Sequence, residues 1–339
     1  MRPLLAIVLL CLVACGDASS GKSPLACFDE IGEASLQQVV CLDSIGAFSV
    51  TDFVVDGDAL WLLFQRPGSE DVLTRYGIGD NSYECLIKRG RGPGEMITVT
   101  PLDGNRGIHL AECNANVLMT VLRDSVSGRR LPSGGLVSCI TDGERVISTG
   151  NYPGGRYRLA DLHSDKVSYF GEYPQGKRRI GDDLVATAYI NSKLAMKPDC
   201  SRFVCVNSNC GVIEINAVEG DSIRNVRQVV FHYPDVVRTS SGGMNIAAIR
   251  KSNINGFFDV TCSDEYIYTL YSGRTFYEAG LNLDKCDYLI VFDWAGEPVA
   301  CLHLSPAFTA IHFDSGHGVL YGLADDVAAS FIYKLNMGL

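Results

Sequence analysis

The sequence predicts an all-β fold, a six-bladed β-propeller, behind an export signal. Three observations predict this fold. Runs of four to seven β-favouring residues alternate with Gly, Asp, Asn and Pro throughout the mature chain. Strand–turn–strand units recur roughly every 40–50 residues, which is the period of a propeller blade. Long helical periodicity, in contrast, is hard to find.

The repeated units lie near residues 51–64, 137–149, 193–206, 257–271 and 308–323, with a degenerate unit around 106–122. An acidic or glycine-containing turn separates the two strands of a unit, as Asp56-Gly57-Asp58 does in the first. A four-stranded blade cannot bury both of its faces alone, but its neighbours in a ring cover them. Six units therefore predict six blades. A pair of β-sandwiches is the alternative, and it would make the regular spacing a coincidence.

The ring must also close. QQVVCL (Gln37 to Leu42) is an orphan strand ahead of the first unit, and the last unit is short by about one strand. We therefore expect the N-terminal strand to pair with the last blade, which removes an exposed edge. The predicted propeller domain comprises residues 35–339. Residues 243–250 (GMNIAAIR) are expected to form one or two helical turns between the fourth and fifth blades.

The N-terminus carries the sharpest signal. Arg2 is followed by an apolar stretch of 11 residues, Leu4 to Ala14. This stretch is too short for a membrane-spanning helix, which needs roughly 20 residues, but it fits a signal peptide. It ends in LVAC (Leu12 to Cys15), which resembles the lipobox of bacterial lipoproteins. We expect residues 1–14 to be removed, Cys15 to carry lipid, and residues 15–34 to form a flexible tether. An ordinary secretory peptide that ends in cysteine is the alternative.

Composition narrows the class of protein. The 339 residues are 47% hydrophobic and 20% charged, which is typical of a globular protein, and the formal net charge is −10. An acidic protein is disfavoured as a partner for nucleic acid or anionic membranes, because both are polyanions. No other apolar run is long enough to span a membrane. The predicted location is the cell envelope, lipid-anchored at the outer membrane and facing either the periplasm or the surface.

Thirteen cysteines suggest a disulfide framework, but the spacing does not support one strongly. Cys11 leaves with the signal peptide and Cys15 is lipidated, so eleven remain, an odd number. Many stand where a strand would place a small hydrophobic residue, and no CxxC pair occurs. Buried free thiols are the favoured interpretation. One or two disulfides, or a metal site, are the alternatives.

Several motifs resemble a known family. They are KRGRGPGE (Lys88 to Glu95), LAMKPDCSRFVC (Leu194 to Cys205), YIYTLYSG (Tyr266 to Gly273) and VFDWAGEPV (Val291 to Val299). They resemble the TolB-like six-bladed β-propeller lipoproteins of gut anaerobic bacteria, over roughly residues 35–338. The resemblance implies a six-bladed propeller on a lipid tether. It brings no catalytic residues.

Two loops are candidate ligand-binding sites. Three glycines and a proline in Gly90 to Gly94 fix an unusual backbone path, so Arg89, Arg91 and Glu95 either contact a polar ligand at the propeller mouth or pair within a blade connection. In YSGRTFY, Tyr271, Arg274 and Tyr277 form a candidate stacking surface for a carbohydrate or peptide. The alternative is that these aromatic rings fill gaps between blades.

No sequence motif indicates a cofactor, a metal or a catalytic residue. The P-loop-like stretch at residues 171–178 has arginine where Ser or Thr would hold Mg²⁺. The six histidines lack metal-ligand spacing, and no GxSxG, HExxH or EF-hand loop occurs. Axial ligands scattered over several blades would leave no motif.

We therefore expect a binding or scaffolding module for a glycan, a peptide or an envelope protein, held at the membrane by lipid. This is an argument from architecture and tether. The alternative is a metal-assisted lyase or hydrolase in the axial channel, which requires polar side chains from different blades to converge there.

Overall fold

The computed structural model describes residues 23–65, 68–122, 125–132, 134–152, 154–164, 166–177, 179–241, 244–325 and 329–336. The signal peptide predicted for residues 1–14 and the lipid-bearing Cys15 lie outside these described residues. Among the described residues, no helix has the length and apolarity needed to cross a membrane.

The described chain begins on the outside of the ring. A short 3-10 helix (Pro24–Cys27) precedes strands β1 (Gly32–Glu33) and β2 (Ser35–Cys41), and a second 3-10 helix (Asp43–Ile45) follows them. Residues ahead of β2 contact the propeller, since β1 pairs with a blade and Leu25 and Phe28 pack against the core.

Six antiparallel sheets follow in chain order, and each is one blade. Blade 1 consists of β3 (Asp52–Asp56), β4 (Ala59–Leu63), β5 (Asp71–Gly77) and β6 (Tyr83–Lys88). Blade 2 consists of β7 (Ile108–Glu112), β8 (Val117–Leu122) and β9 (Ser125–Arg130). The segment before β7 completes blade 2 through the bridges Val99–Glu112 and Asp103–His109. Blade 3 consists of β10 (Leu136–Thr141), β11 (Arg145–Gly150), β12 (Tyr157–Asp161) and β13 (Val167–Phe170).

The second half of the ring carries longer insertions. Helix α1 (Asp182–Ala188) leads to blade 4, which consists of β14 (Ser192–Met196), β15 (Arg202–Asn207), β16 (Gly211–Glu219) and β17 (Ser222–His232). A hairpin of β18 (Val236–Ser241) and β19 (Met244–Ile249) follows. Blade 5 consists of β20 (Phe257–Cys262), β21 (Tyr266–Tyr271), β22 (Cys286–Asp293) and β23 (Pro298–Phe308), with helix α2 (Phe276–Ala279) between β21 and β22 and β1 on its outer edge. Blade 6 consists of β24 (Ala310–Asp314), β25 (Val319–Asp325), β26 (Ser330–Asn336) and β2.

The expectation of helical turns over residues 243–250 was wrong. β19 is a strand whose residues pair with β18, from Val236–Ile249 to Ser241–Met244. Backbone pairing along this hairpin overrides the helix propensity of Met and Ala in the stretch.

The N-terminal strand lies in the last blade. β2 runs antiparallel to β26, with Ser35 opposite Asn336 and Cys41 opposite Phe331. Val40 and Leu42 are buried in one core cluster with Phe53 and Leu62 of blade 1 and Ile332 of blade 6. The N-terminal segment therefore joins the two ends of the ring through both hydrogen bonds and apolar packing.

The core lies between blades. Phe231 of blade 4 packs with Phe257 and Phe292 of blade 5, and all three rings are buried. Burial of one such side chain stabilises the fold by roughly 1.5–3 kcal/mol. All eleven cysteines of the described chain are free, and six of them are buried. Buried free thiols were the favoured interpretation of the sequence; six of the eleven cysteines fit it, and the other five are partly or fully exposed.

The propeller has two unlike ends. Strands alternate in direction, so the first and third connections of each blade lie at one end, which we call the turn face; in blade 1 these are residues 57–58 and 78–82. The second connection and the link to the next blade lie at the other end, the loop face. The loop face carries the long insertions at residues 171–191, 233–256 and 272–285.

Candidate functional site

Three neighbouring cavities form a bent row on the turn face, because only blades 6 and 1 lie between the two outer cavities. A cavity of about 110 Å³ lies on the axis, one of about 1120 Å³ between blades 1 and 2, and one of about 680 Å³ between blades 5 and 6. Arg106 borders the first two cavities, and Phe313 and Ser315 border the axial cavity and the third. We call this row the turn-face groove.

The end of the groove between blades 1 and 2 combines carboxylates with an aromatic ring. Asp56, Asp58 and Asp80 line it. Backbone and side-chain hydrogen bonds from Ser82 lower the pKa of Asp80, so this carboxylate is ionised at neutral pH. The Arg75 guanidinium lies over the Trp61 ring, 5.9 Å from its centroid. This end therefore offers hydrogen-bond acceptors beside an aromatic–cation stack.

The opposite end, between blades 5 and 6, is richer in aromatic rings. Tyr268 stacks on Phe313 with centroids 5.3 Å apart and planes 17° apart, and the Tyr266 ring lies edge-on to Tyr268 at 6.4 Å. Asp264 and Glu265 lie on the preceding turn and complete the lining. The two ends of the groove thus repeat one combination, acidic turn residues beside aromatic side chains.

The axial cavity holds a lysine between two carboxylates from other blades. Lys193 Nζ of blade 4 lies 3.6 Å from Asp52 Oδ2 of blade 1 and 3.5 Å from Asp259 Oδ1 of blade 5. Burial alone would lower the pKa of Lys193, but the charges of Asp259 and Asp52 outweigh it and raise the pKa above its usual value. Burial raises the pKa of Asp259, and Lys193 opposes that rise. The lysine is therefore cationic.

Axial aspartates also join neighbouring blades. The Leu102 amide donates to Asp52 Oδ2 at 3.0 Å, and the Ile311 amide donates to Asp259 Oδ2 at 2.8 Å. Asp103 repeats the arrangement between blades 2 and 3, since its Oδ2 accepts from the Thr141 amide at 2.8 Å. Each carboxylate belongs to the innermost segment of one blade and accepts from the innermost segment of the next. These aspartates hold the ring together at its centre.

Two further axial groups have strongly shifted pKa values. Burial raises the pKa of Asp103 to about 7, although backbone amides donate to it. Burial lowers the pKa of His312 to about 4. The His312 Nε2 atom lies 3.1 Å from the Val55 carbonyl oxygen, which can only accept, so this nitrogen carries the proton.

The axial geometry favours a structural role over a reaction centre. Polar groups from different blades do converge, as the catalytic alternative requires, but Asp52 and Asp259 are engaged by both Lys193 and backbone amides. The cavity is also smaller than ligand pockets, which are typically about 300–1,000 Å³. Within the part of the chain that the structure describes, no three His, Cys, Asp or Glu side chains are grouped so as to hold a metal ion.

The first predicted ligand loop lies on the loop face, between blades 1 and 2. Arg89 donates to three carbonyl oxygens, those of Phe64, Ser69 and Ile97. Glu95 Oε2 accepts from the Gly92 amide at 2.7 Å within its own turn. Arg91 is exposed. Arg89 and Glu95 thus hold the loop together through its backbone, and ligand contact by this loop stays a prediction.

The second predicted loop lies on the loop face of blade 5. Tyr271 is buried, Arg274 donates to the carbonyl oxygens of Asn282 and Lys285, and Tyr277 is 74% exposed. Blades 5 and 1 are separated by blade 6, so the structure does not bring the two predicted loops together. Both lie at the end of the propeller opposite the turn-face groove.

In the sequence, the groove residues were recognisable only as turn residues between predicted strands. Asp56 and Asp58, Asp264 and Glu265, and Ser315 all belong to turns that marked the repeated units. Their common position, between the first and second strands of a blade, was the signal that could have placed them on one face. The sequence could not show that aromatic residues of the following strands would lie beside them.

The chain resembles known proteins in sequence and in fold. The family of TolB-like 6-blade propeller-like proteins matches residues 133–315, more than half of the chain. The chain belongs to this family. The match to this family also confirms the six-bladed architecture of the TolB-like propeller, which the repeated units predicted.

Solved structures share the fold at low identity. A protein of Bacteroides fragilis described as exported superposes with a TM-score of 0.54 at 11% identity, over 94% of this chain and 99% of that one. An auxiliary nutrient binding protein of Bacteroides thetaiotaomicron has a TM-score of 0.49 at 8% identity, over 85% of this chain and 69% of that one. A gluconolactonase of Xanthomonas campestris has a TM-score of 0.49 at 11% identity, over 94% and 96%. A sequence search of curated proteins finds no match.

Proposed function

We propose that this TolB-like propeller is a lipid-anchored binding module of the cell envelope, and that its turn-face groove binds a glycan. The observation that carries the proposal is the row of three neighbouring cavities, which share lining residues and whose two outer ends each pair acidic turn residues with aromatic side chains. The outer cavities, at about 1120 and 680 Å³, are large enough for a ligand, unlike the axial cavity between them.

The chemistry of the groove favours a neutral, hydroxyl-rich ligand. Ionised carboxylates only accept hydrogen bonds, and hydroxyl groups can donate to them. Tyr266 and Phe313 offer partly exposed ring faces, on which the apolar face of a ligand can lie without losing its hydrogen bonds elsewhere. The protein's net charge of −10 opposes an anionic ligand. A peptide or an envelope protein is the competing partner.

Binding is tested on the mature chain carrying Cys15→Ser. Neutral oligosaccharides and cationic peptides are titrated into this protein, and binding is followed by thermal shift and by calorimetry. We expect a glycan to raise Tm, and Tyr266→Ala to weaken its binding about 10-fold, the loss of about 1.4 kcal/mol of contact. Tyr83→Ala is the matched control, because Tyr83 is an exposed tyrosine outside all three cavities. A rise in Tm with peptides alone would show that the partner is a peptide and not a glycan.

The lipid anchor is tested separately. Cys15→Ala should move the protein from the membrane fraction to the soluble fraction and abolish acyl labelling, because the acyl chains of one cysteine supply the attachment. Unchanged fractionation and labelling would show that the lipobox interpretation is wrong, without bearing on the groove.

A further inference from the structure

The loop face of blade 5 carries an exposed apolar patch. Leu281 is 92% exposed and Tyr277 is 74% exposed, both in the connection between β21 and β22. Ile254, 42% exposed, lies in the neighbouring segment, which hydrogen-bonds to this connection through Asn255 and Gly273. We call these three side chains, Ile254, Tyr277 and Leu281, the blade-5 patch. A leucine of this exposure gains nothing from the fold of the chain itself.

The loop that presents the patch has a defined shape. Glu278 Oε2 accepts from both the backbone amide and the hydroxyl of Thr275, at 2.7 and 2.8 Å, which caps helix α2. Arg274 donates to the carbonyl oxygen of Asn282 at 3.2 Å and pairs with Asp287 at 3.3 Å. These contacts bracket Tyr277 and Leu281 on both sides. The two apolar side chains are therefore held outward by the loop.

The N-terminal segment reaches the body of the protein next to this loop. Ser23, the first described residue, interacts through its side chain with the Tyr271 hydroxyl, and Tyr271 is the last residue before the loop that carries the patch. Leu25 and Phe28 pack on the cluster between blades 4 and 5. Only eight residue steps separate Ser23 from Cys15, which span at most about 29 Å. A lipid on Cys15 is therefore confined to the neighbourhood of blade 5.

We propose that the blade-5 patch docks on the membrane surface, so that the loop face lies toward the lipid and the turn-face groove points away from it. This rests on the lipid anchor of the proposed function. Tyrosine and leucine are side chains that amphipathic surfaces bury at the boundary between headgroups and acyl chains. The anchor supplies the high local lipid concentration that so small a patch needs.

The charges around the patch fit a zwitterionic surface. Arg250 pairs with Asp235, Arg274 pairs with Asp287, and the Lys251 ammonium lies 5.1 Å from the centroid of the Phe276 ring. The two ion pairs neutralise four of the charges near the patch, and the acidic protein as a whole is repelled by anionic lipid.

The test places a tryptophan in the patch of the intact lipoprotein. Leu281→Trp is reconstituted in phosphatidylcholine vesicles with and without brominated acyl chains, which quench nearby tryptophan. The native Trp61 and Trp294 are both buried and provide a constant background. Tyr83→Trp is the matched control, since Tyr83 is exposed and follows a connection of the turn face. After subtraction of the wild-type spectrum, we expect the emission added by Leu281→Trp to shift to the blue and to fall by more than half with brominated lipid, and the emission added by Tyr83→Trp to stay unchanged.

The outcomes separate this inference from the anchor. If the protein co-sediments with vesicles but Leu281→Trp is not quenched, the docking surface is refuted and the anchor stands. If the protein does not co-sediment at all, the anchor itself has failed. A blue shift of Leu281→Trp in buffer without vesicles would show that a second copy of the chain covers the patch, which also overturns the proposal.

Discussion

His312 shows how burial at the propeller axis makes one residue sensitive to pH. Its ring lies on the innermost strand of blade 6, donates to the Val55 carbonyl oxygen of blade 1, and packs edge-on against Phe53 at 6.4 Å. Burial lowers its pKa to about 4, although Asp52 and Asp314 oppose this effect. At neutral pH the ring is uncharged and joins blades 6 and 1.

The lowered pKa of His312 predicts a loss of stability in acid. The unfolded chain takes up this proton near pH 6.5 and the folded chain only near pH 4, so the stabilisation is complete above pH 6.5 and is lost as pH falls toward 4. The shift corresponds to roughly 2–4 kcal/mol. His312→Gln keeps a side-chain N–H but does not titrate. Urea unfolding from pH 7 to 4.5 should show the wild type's advantage over His312→Gln shrinking. Parallel curves would contradict the assignment, because His109, His232 and Asp103 are present in both proteins.

Other residue-scale features were beyond prediction from the sequence. Arg156 is 1% exposed between blades 3 and 4, where it pairs with Glu214 at 3.1 Å and lies against three tyrosine rings, those of Tyr157, Tyr173 and Tyr189. Arginine is almost never fully buried unless it is paired, and its charge partner here, Glu214, is distant in sequence. The same holds for Lys193 and its two aspartates. Strand periodicity identifies which segments form a blade, but not which polar side chains meet between blades.

At the scale of elements, β2 pairs with the last blade and packs against the first. It supplies the outer strand of blade 6, and its residue Val40 is buried against both ends of the ring. The orphan strand was recognisable from sequence because it stands ahead of the first unit, while the last unit is short by about one strand. Its bounds were two residues off at the start, since the structure has Ser35–Cys41. The β18–β19 hairpin was missed because its apolar stretch fits a helix as well as a strand.

A charge in β2 should open the ring. Val40→Asp buries an unpaired carboxylate at the junction of blades 6 and 1, and we expect the free energy of unfolding to fall by about 3 kcal/mol or more. Gln38→Asp, on the same strand but exposed, should change it by less than about 0.5 kcal/mol. Urea midpoints compare the two variants. Similar midpoints for both would mean that pairing of β2 with β26 contributes little to stability.

At the scale of the whole molecule, the two ends of the propeller divide the proposed tasks. Short acidic turns form the groove on one end, and long insertions with an exposed apolar patch form the other. The sequence predicted the ring and one long connection, between the fourth and fifth blades, and the structure places the candidate ligand residues on the loop face. The sequence could not distinguish the ends, because the face of a connection depends on how many strands precede it in its blade. An error of one in the predicted number of strands assigns a connection to the wrong face.

At the scale of the whole fold, the described residues contain no disulfide, and counting the thiols tests this. The described chain has eleven free cysteines, and Cys27 is the only one of these that is exposed and not buried or half-buried. Burial raises the pKa of Cys139 to about 12 and that of Cys205 to about 11, so these thiols stay protonated and unreactive at neutral pH.

We expect an alkylating reagent to modify the native lipoprotein fastest at Cys27, and Cys27→Ser to remove this fast phase. After unfolding without reductant, mass spectrometry should count eleven modified thiols, because Cys15 is blocked by its lipid thioether. Twelve would mean that Cys15 is free, and nine or fewer would reveal a disulfide, which should then also make Tm sensitive to reductant.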